Sequence, residues 1–232
     1  MPPRRALRSL GQFPGSLANK VFLTLKDAIL SLVFRPGEIL RKPEICAELG
    51  VSRSPVSEAV ARLSAEGLVD VVPQAGTFVA RFSMEEIREG AFLREALELA
   101  AISVVAKTIT EDQLVLLRRN LRLQAALAED RDFIGFYKLD AEMHELILSF
   151  TGFKRLAQLS QTAWVHVNRA RQLLLPSPGR MRATLAEHQA ILAALEAHDP
   201  AAARRAIRDH LRQLLTFLEP LVATLPELFD PA

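Results

Sequence analysis

The stretch that decides the fold of the first half of the chain is PGEILRKPEICAELGVSRSPVSEAVARLSAEGLV, from Pro36 to Val69. A short helix is predicted over about Pro43–Leu49, and it stops at Gly50, a residue type that favours a left-handed helix end. Ser54 and Pro55 then predict the start of a longer helix, with the serine as N-cap and the proline at the first helical position. This longer helix is expected to end near Gly67.

The segments on either side complete a recognisable order of elements. Leu17–Val33 has apolar residues at three- and four-residue steps, which predicts a helix. Leu68–Val72 and Thr77–Ala80 are apolar and β-branched runs joined by Pro73–Gly76, which predicts a two-stranded hairpin. Three helices followed by a hairpin indicate a winged helix-turn-helix DNA-binding domain over residues 16–82, preceded by a flexible tail at residues 1–15.

In such a domain the third helix enters the major groove of DNA with its amino-terminal residues nearest the bases. We therefore expect Ser52, Arg53, Ser54 and Ser57 to face DNA. Arg53 can donate two hydrogen bonds to guanine O6 and N7, while the serines and the helix amino terminus suit phosphate. Gly76 at the tip of the hairpin lets the wing approach a sugar–phosphate edge closely.

Beyond residue 82 no strand pattern appears, and the apolar spacing predicts an all-helical bundle of about six helices over residues 83–232. The fold class is therefore mainly α. Thr110 with Gln113, and Asp199 with Pro200, are start signals for two of these helices. The expected helices are Met84–Lys107, Glu111–Glu129, Phe133–Phe150, Lys154–Leu175, Arg180–Ala197 and Pro200–Val222.

Composition narrows the class of protein. The single cysteine, Cys46, excludes an intramolecular disulfide and fits a reducing compartment. The basic residues 1–8 are not followed by the apolar segment of a signal peptide, and Leu99–Ala106 is too short to cross a bilayer. Residues 1–82 carry 11 Lys and Arg against 7 Asp and Glu, a modest positive balance that fits DNA contact. We expect a cytoplasmic protein without membrane partners.

The segment from Pro36 to Val69, and above all its G-V-S-R-S-P-V run, closely resembles the GntR family of bacterial transcription regulators. Together with the apolar faces of the helical domain, this segment predicts a homodimer that binds double-stranded DNA, and the symmetry of a dimer predicts an operator of two-fold symmetry. Two positions depart from the family pattern, because Ser57 stands where arginine is common and Pro43 where a basic residue is frequent. DNA contact is therefore expected to depend more on Arg53 and Lys42.

Four residues of the second half have the chemistry of metal ligands. Asp140 and His144 are four residues apart and so share one helix face, among apolar neighbours. A carboxylate on an apolar face is costly unless it is paired or binds a cation. His188 and His210 also lie on apolar faces, on two further helices. Three histidines and one aspartate suit Zn²⁺, with Ni²⁺ or another transition metal as alternatives.

The same spacing, with Glu187-His188 and His210-Leu211, resembles the FCD effector domain of the FadR branch of the family, and about six helices resemble its VanR-type subgroup. The segment R-E-A-L-E at Arg94 is similar to an R-x-x-L-E motif whose arginine lies beside the effector pocket. The resemblance implies that Arg94 binds the carboxylate of a small organic acid near the metal. Asn168 is a further candidate to line the same cavity. A salt bridge from Arg94 to Glu98 is the alternative.

These observations predict a metabolite-responsive transcription regulator and no enzyme. Two alternatives stay open. One is a constitutive DNA-binding protein with a structural metal site, and the other is a metal-dependent hydrolase in which the site activates water. The absence of a His-Glu-x-x-His pair and of a separate general base speaks against the hydrolase.

Overall fold

The computed structural model describes residues 7–156, 159 and 164–231. In these residues the chain forms two compact units, one from the residues up to Met84 together with Val222 onwards, the other from Glu85 to Leu221. No helix of the described residues is long and apolar enough to cross a membrane. The predicted domain limits, including a single domain over 83–232, stay predictions.

The first unit contains three helices, α1 (Leu17–Leu30), α2 (Lys42–Leu49) and α3 (Arg53–Ala65). The Ser16 side chain accepts a hydrogen bond from the third backbone N–H beyond it and so caps α1. Gly50 ends α2 with φ 65°, the left-handed conformation that the sequence predicts. Within the predicted tail, residues 10–12 form a 3₁₀ turn.

Packing of α1 against α3 fixes the orientation of α3. Val21 and Leu25 of α1 are fully buried, as are Val56 and Leu63 of α3. Beside this core, the guanidinium of Arg62 on α3 lies 3.7 Å above the centre of a phenylalanine ring on α1, a cation–π contact. The opposite face of α3 stays exposed.

One prediction about α3 is wrong. The helix begins at Arg53 and its N-cap is Ser52, which makes no side-chain capping bond. Pro55 is therefore the third helical residue and not the first. The first four N–H groups of a helix have no intrahelical partner, so a proline is tolerated anywhere in that turn. The sequence therefore predicts where the first turn of α3 lies but not the residue at which the helix begins.

The predicted hairpin is confirmed as β1 (Val69–Val72) and β2 (Gly76–Val79), antiparallel with Val69 opposite Val79. The sequence analysis missed a third extended segment on the other side of β2. There Ile39 pairs with Phe78, and the Leu40 N–H donates to the carbonyl of residue 77 at 2.7 Å. This short segment covers the outer edge of the wing.

The second unit is all-helical among the residues described. Its helices are α4 (Met84–Thr108), α5 (Glu111–Glu129), α6 (Phe133–Phe150), α7 (Val165–Leu174), α8 (Arg180–Glu196) and α9 (Pro200–Thr224). The predicted caps are present: Thr110 and Gln113 form a capping box, and the Asp199 carboxylate accepts hydrogen bonds from two N–H groups of α9. Apolar side chains of five helices form its core.

The prediction of one helix from Lys154 to Leu175 is wrong. Trp164 lies in a turn and is the N-cap of α7, without a side-chain capping bond. Tryptophan carries no oxygen that accepts from the first N–H groups, so nothing in its type signals a helix start. Residues 157–158 and 160–163 of that prediction lie outside the described part of the chain.

Candidate metal centre

Three helices bring the four predicted ligands together. Asp140 and His144 stand one turn apart on α6, His188 lies on α8 and His210 on α9. All four are buried, and one ligand atom from each lies within 4.8 Å of the others. Residues separated by 70 positions in sequence thus meet at one point in the core.

The spacing of these atoms matches a small coordination shell. The Nε2 atom of His210 lies 3.2 Å from that of His144 and 3.4 Å from that of His188. Asp140 Oδ1 lies 3.4 Å from the Nε2 atom of His144 and 3.4 Å from that of His188. Ligands at about 2.0–2.1 Å from a tetrahedral zinc ion are separated from each other by about 3.3 Å.

Each imidazole has an oxygen acceptor at its other nitrogen. The Nδ1 atoms of His144 and His210 lie 2.6 Å from Glu98 Oε2 and 2.7 Å from Glu187 Oε2. A carboxylate oxygen only accepts hydrogen bonds, so both Nδ1 atoms donate. The Nε2 atoms are then left with their lone pairs toward the cluster, the arrangement that metal-ligating histidines use.

The third imidazole is oriented by an amide. Gln124 Oε1 lies 2.8 Å from His188 Nδ1. The amide nitrogen of Gln124 donates to Asn120 Oδ1 at 2.7 Å, which fixes the direction of the amide and turns its oxygen to the imidazole. His188 therefore also presents an unprotonated Nε2.

The electrostatics of the cluster favour a cation. Burial, followed by the neighbouring imidazole and guanidinium groups, lowers the pKa of His188 and of His210 well below the usual value. Burial raises the pKa of Asp140, but the charge of Arg171 and the contact with His144 outweigh it, so that pKa is well below its usual range. The uncharged imidazoles of His188 and His210 therefore face an ionised carboxylate.

The donor set fits a divalent metal ion. Asp140 Oδ1 is buried and makes no hydrogen bond, and the converging Nε2 lone pairs repel one another. A buried acceptor without a donor costs free energy, and a cation at the centre of the cluster removes that cost. Nitrogen and carboxylate oxygen donors are those that Zn²⁺ and other borderline ions accept.

The role of Gln124 gives a testable prediction. Gln124→Ala removes the oxygen that orients His188, and the loss of such an outer-shell partner lowers metal affinity by about 10–100-fold. Competition with a chromophoric zinc chelator measures the change. Gln189→Ala, on the exposed side of α8, is the matched control and should leave zinc affinity unchanged. Equal affinities in both variants would exclude Gln124 from the site.

A small cavity of about 40 Å³ adjoins the cluster, room for roughly three water molecules. Asp140 and His210 line it on the side of the cluster, and Arg94, Arg171 and Arg180 line it elsewhere. Leu174, Leu175, Leu211 and Leu214 add an apolar wall.

Arg94 forms the salt bridge to Glu98 that was the alternative to a role in effector binding. Its Nε donates to Glu98 Oε1 at 2.6 Å in the buried core. The two interpretations are compatible, since Arg94 also lines the cavity and its Nη2 is buried without a hydrogen-bond partner. Glu98 in turn contacts both Arg94 and His144. It links the guanidinium to the candidate ligand His144.

Asn168 is not among the residues that line the cavity, but it contacts Arg171, which lines it. Its Oδ1 accepts a hydrogen bond from Arg171 Nη1 at 3.3 Å, and Arg171 in turn pairs with Asp140 Oδ2. The sequence analysis missed Arg171 and Arg180. Arg171 has apolar Val167 and Leu174 on its helix face, the signal that identified Arg94.

The candidate DNA contacts lie together in the first unit. Ser52, Arg53, Ser54 and Ser57 are exposed around the amino-terminal turns of α3, and Lys42 is partly exposed as the first residue of α2. Gly76 ends the wing turn with φ 136°, a conformation that side chains rarely adopt. A Cβ there would also lie 3.3 Å from a methyl carbon of the neighbouring segment.

Two protein-family models match the chain. The model described as "Bacterial regulatory proteins, gntR family" matches residues 17–79, and that of the FCD domain matches residues 89–213.

Curated relatives extend the match over most of the chain. An HTH-type transcriptional regulator in an unstable DNA locus of Streptomyces ambofaciens is 34% identical over 209 residues, which cover 90% of this chain and 88% of the relative. The HTH-type transcriptional repressor RspR of Escherichia coli is 30% identical over 195 residues, 84% of this chain and 86% of the relative.

Solved structures share the fold. A GntR-type regulator from Rhodococcus sp. RHA1 has a TM-score of 0.76 at 26% identity and covers 89% of this chain and 99% of its own. McbR/YncC of Escherichia coli has a TM-score of 0.77 at 23% identity, over 90% and 99% of the two chains.

Proposed function

Because this chain belongs to the GntR family of bacterial regulatory proteins and carries an FCD domain, we propose that it is a metabolite-responsive regulator whose DNA affinity changes when a small organic acid binds near a metal. The observation that carries the proposal is the buried Asp140–His144–His188–His210 cluster beside a cavity lined by three arginines. The cluster has the donors for a cation, and the arginines of the cavity have the charges for an anion.

The proposal assigns DNA recognition to the start of α3. Arg53 is exposed there and is free to reach a guanine edge, and the neighbouring serine hydroxyls suit phosphate oxygens. Lys42 and the wing turn at Gly76 add contacts to the backbone of the duplex. Because DNA is in the cytoplasm of a bacterium, that is where we expect the protein.

We infer that two copies of the chain bind an operator of two-fold symmetry. Support comes from α4, where Leu93, Ala96, Ala100 and Val104 follow one exposed helix face. On α5, Val115, Leu116 and Leu123 are exposed as well. Apolar side chains in such numbers on one unit suit an interface between copies, and a two-fold dimer binds two equal half-sites.

Zn²⁺ is the metal that we propose for the cluster, held by Asp140 Oδ1 and the Nε2 atoms of His144, His188 and His210. A bound divalent ion supplies a positive centre that attracts a carboxylate oxygen. Glu98, Gln124 and Glu187 accept from the Nδ1 atoms of the three imidazoles and so direct an unprotonated Nε2 of each toward the ion.

The charge balance around the cavity supports an anionic effector. Each of its arginines already has one carboxylate partner: Arg94 pairs with Glu98, Arg171 with Asp140 and Arg180 with Glu187. The three carboxylates already balance the three arginines, so a divalent ion would add positive charge that these pairs do not balance. An organic acid restores neutrality, and a guanidinium binds its carboxylate through two parallel hydrogen bonds.

A screen of small organic acids tests this assignment by the shift in unfolding temperature of the zinc-loaded protein. Acids that bind should lose affinity by about 5–150-fold in Arg94→Lys, since an ammonium keeps the charge but loses the planar pair of donors. Arg212→Lys is the matched control, because Arg212 pairs with Glu95 of α4 and is not among the residues that line the cavity. Acids that bind Arg94→Lys as tightly as the parent would restrict Arg94 to its salt bridge with Glu98.

A further inference from the structure

The carboxy-terminal segment after α9 is built into the first unit. The Phe82 N–H donates to the Leu228 carbonyl at 2.9 Å, and the Asp230 N–H donates to the Phe82 carbonyl at 3.0 Å. Phe82 and Phe229 pair as in a parallel sheet. Their rings lie 5.5 Å apart, and both side chains are almost fully buried. Two backbone hydrogen bonds and two buried rings fix this segment.

Arg81 ties the same segment to the base of the wing. Its Nε donates to the Glu227 carbonyl at 3.1 Å, while its guanidinium lies close to Gly37, where an added Cβ would be 3.3 Å from Nη2. The Gly37 N–H in turn donates to the Val79 carbonyl of β2 at 2.8 Å. The segment therefore contacts the residues that end the hairpin.

We propose that residues 226–230, the carboxy-terminal strap, complete the winged-helix unit and stabilise the residues that follow its wing. The residues from Val222 onwards belong to the same compact unit as the wing. The strap rests on contacts within the first unit and needs no metal.

Hydrogen exchange of the full chain tests the structural role of the strap. A chain that ends at Leu225, and the variant Phe229→Ala, should speed exchange at the Phe82 amide by at least about 10-fold, because that N–H loses its acceptor or its cover. Asp230→Ala, which keeps the backbone bond and removes an exposed side chain, is the control and should exchange as the parent does. Unchanged Phe82 exchange in Phe229→Ala would overturn the proposal.

Discussion

Replacement of His188 by alanine is expected to lower zinc affinity by at least about 100-fold, the upper end of the loss caused by a single outer-shell partner. The side chain is fully buried and its Nε2 faces the other donors. The variant keeps Asp140 and two imidazoles, so one of four ligands is lost. Competition with a chelator gives the affinity, and elemental analysis of the purified protein gives the occupancy.

His198→Ala is the matched control for this experiment. His198 follows α8 and contacts the Ala106 carbonyl through Nδ1 at 3.3 Å, and it lies outside the cluster. Its removal should leave zinc affinity at the value of the parent. Full zinc occupancy in His188→Ala would remove His188 from the ligand set and contradict the assigned coordination.

Arg53→Ala is expected to weaken binding to a specific operator by ~1–3 kcal/mol, about 5–150-fold, the scale of one bidentate contact to a base. The guanidinium is exposed at the first residue of α3 and makes no contact that stabilises the fold. The thermal midpoint should therefore stay within about 2 °C of the parent. Fluorescence anisotropy with a duplex selected from a random pool measures the affinity.

Arg205→Ala removes an equal charge from an exposed position of α9 and serves as the comparison. It should change operator affinity little, since a distant surface charge acts only through the screened field. The specific duplex and a scrambled one should both be measured. If Arg53→Ala binds the specific duplex as tightly as the parent does, α3 is not the recognition helix in the way proposed.

The sequence predicted the elements whose signals are local. Gly50 ends α2 because only a residue tolerant of positive φ fits there, and Thr110 starts α5 through its capping box. The wing followed from two β-branched runs around Gly76. Helix starts at Glu111 and Phe133 are confirmed to the residue, since the residues that specify them are adjacent in the chain.

The candidate metal cluster was predictable because each ligand sits on an apolar helix face, where a lone imidazole or carboxylate is costly. That argument identifies Asp140 and His188 without their partners. The partners Gln124 and Glu187 carried no such signal, because polar residues at helical spacing are usually solvated. Only the packing of α5, α8 and α9 brings them to the imidazoles.

Contacts between residues far apart in the chain explain the elements that the sequence did not predict correctly. The Ile39 bridge to the wing and the strap at Phe229 pair with residues about 40 and 150 positions away, and each segment alone is too short for a period-two pattern. Trp164 interrupts the predicted helix from Lys154 to Leu175 without any breaker residue. In these places tertiary contacts decide the backbone.

The coupling of organic-acid binding to DNA binding is the central claim. An acid alters DNA affinity only if it binds the DNA-competent and DNA-incompetent states with different affinities. The direct measurement is the anisotropy titration of the selected duplex by the zinc-loaded parent, with and without the acid that gives the largest thermal shift. The account predicts a change in Kd of about 5–150-fold, the usual range of allosteric coupling. An unchanged Kd at saturating acid would contradict it and would favour a structural metal site in a constitutive DNA-binding protein.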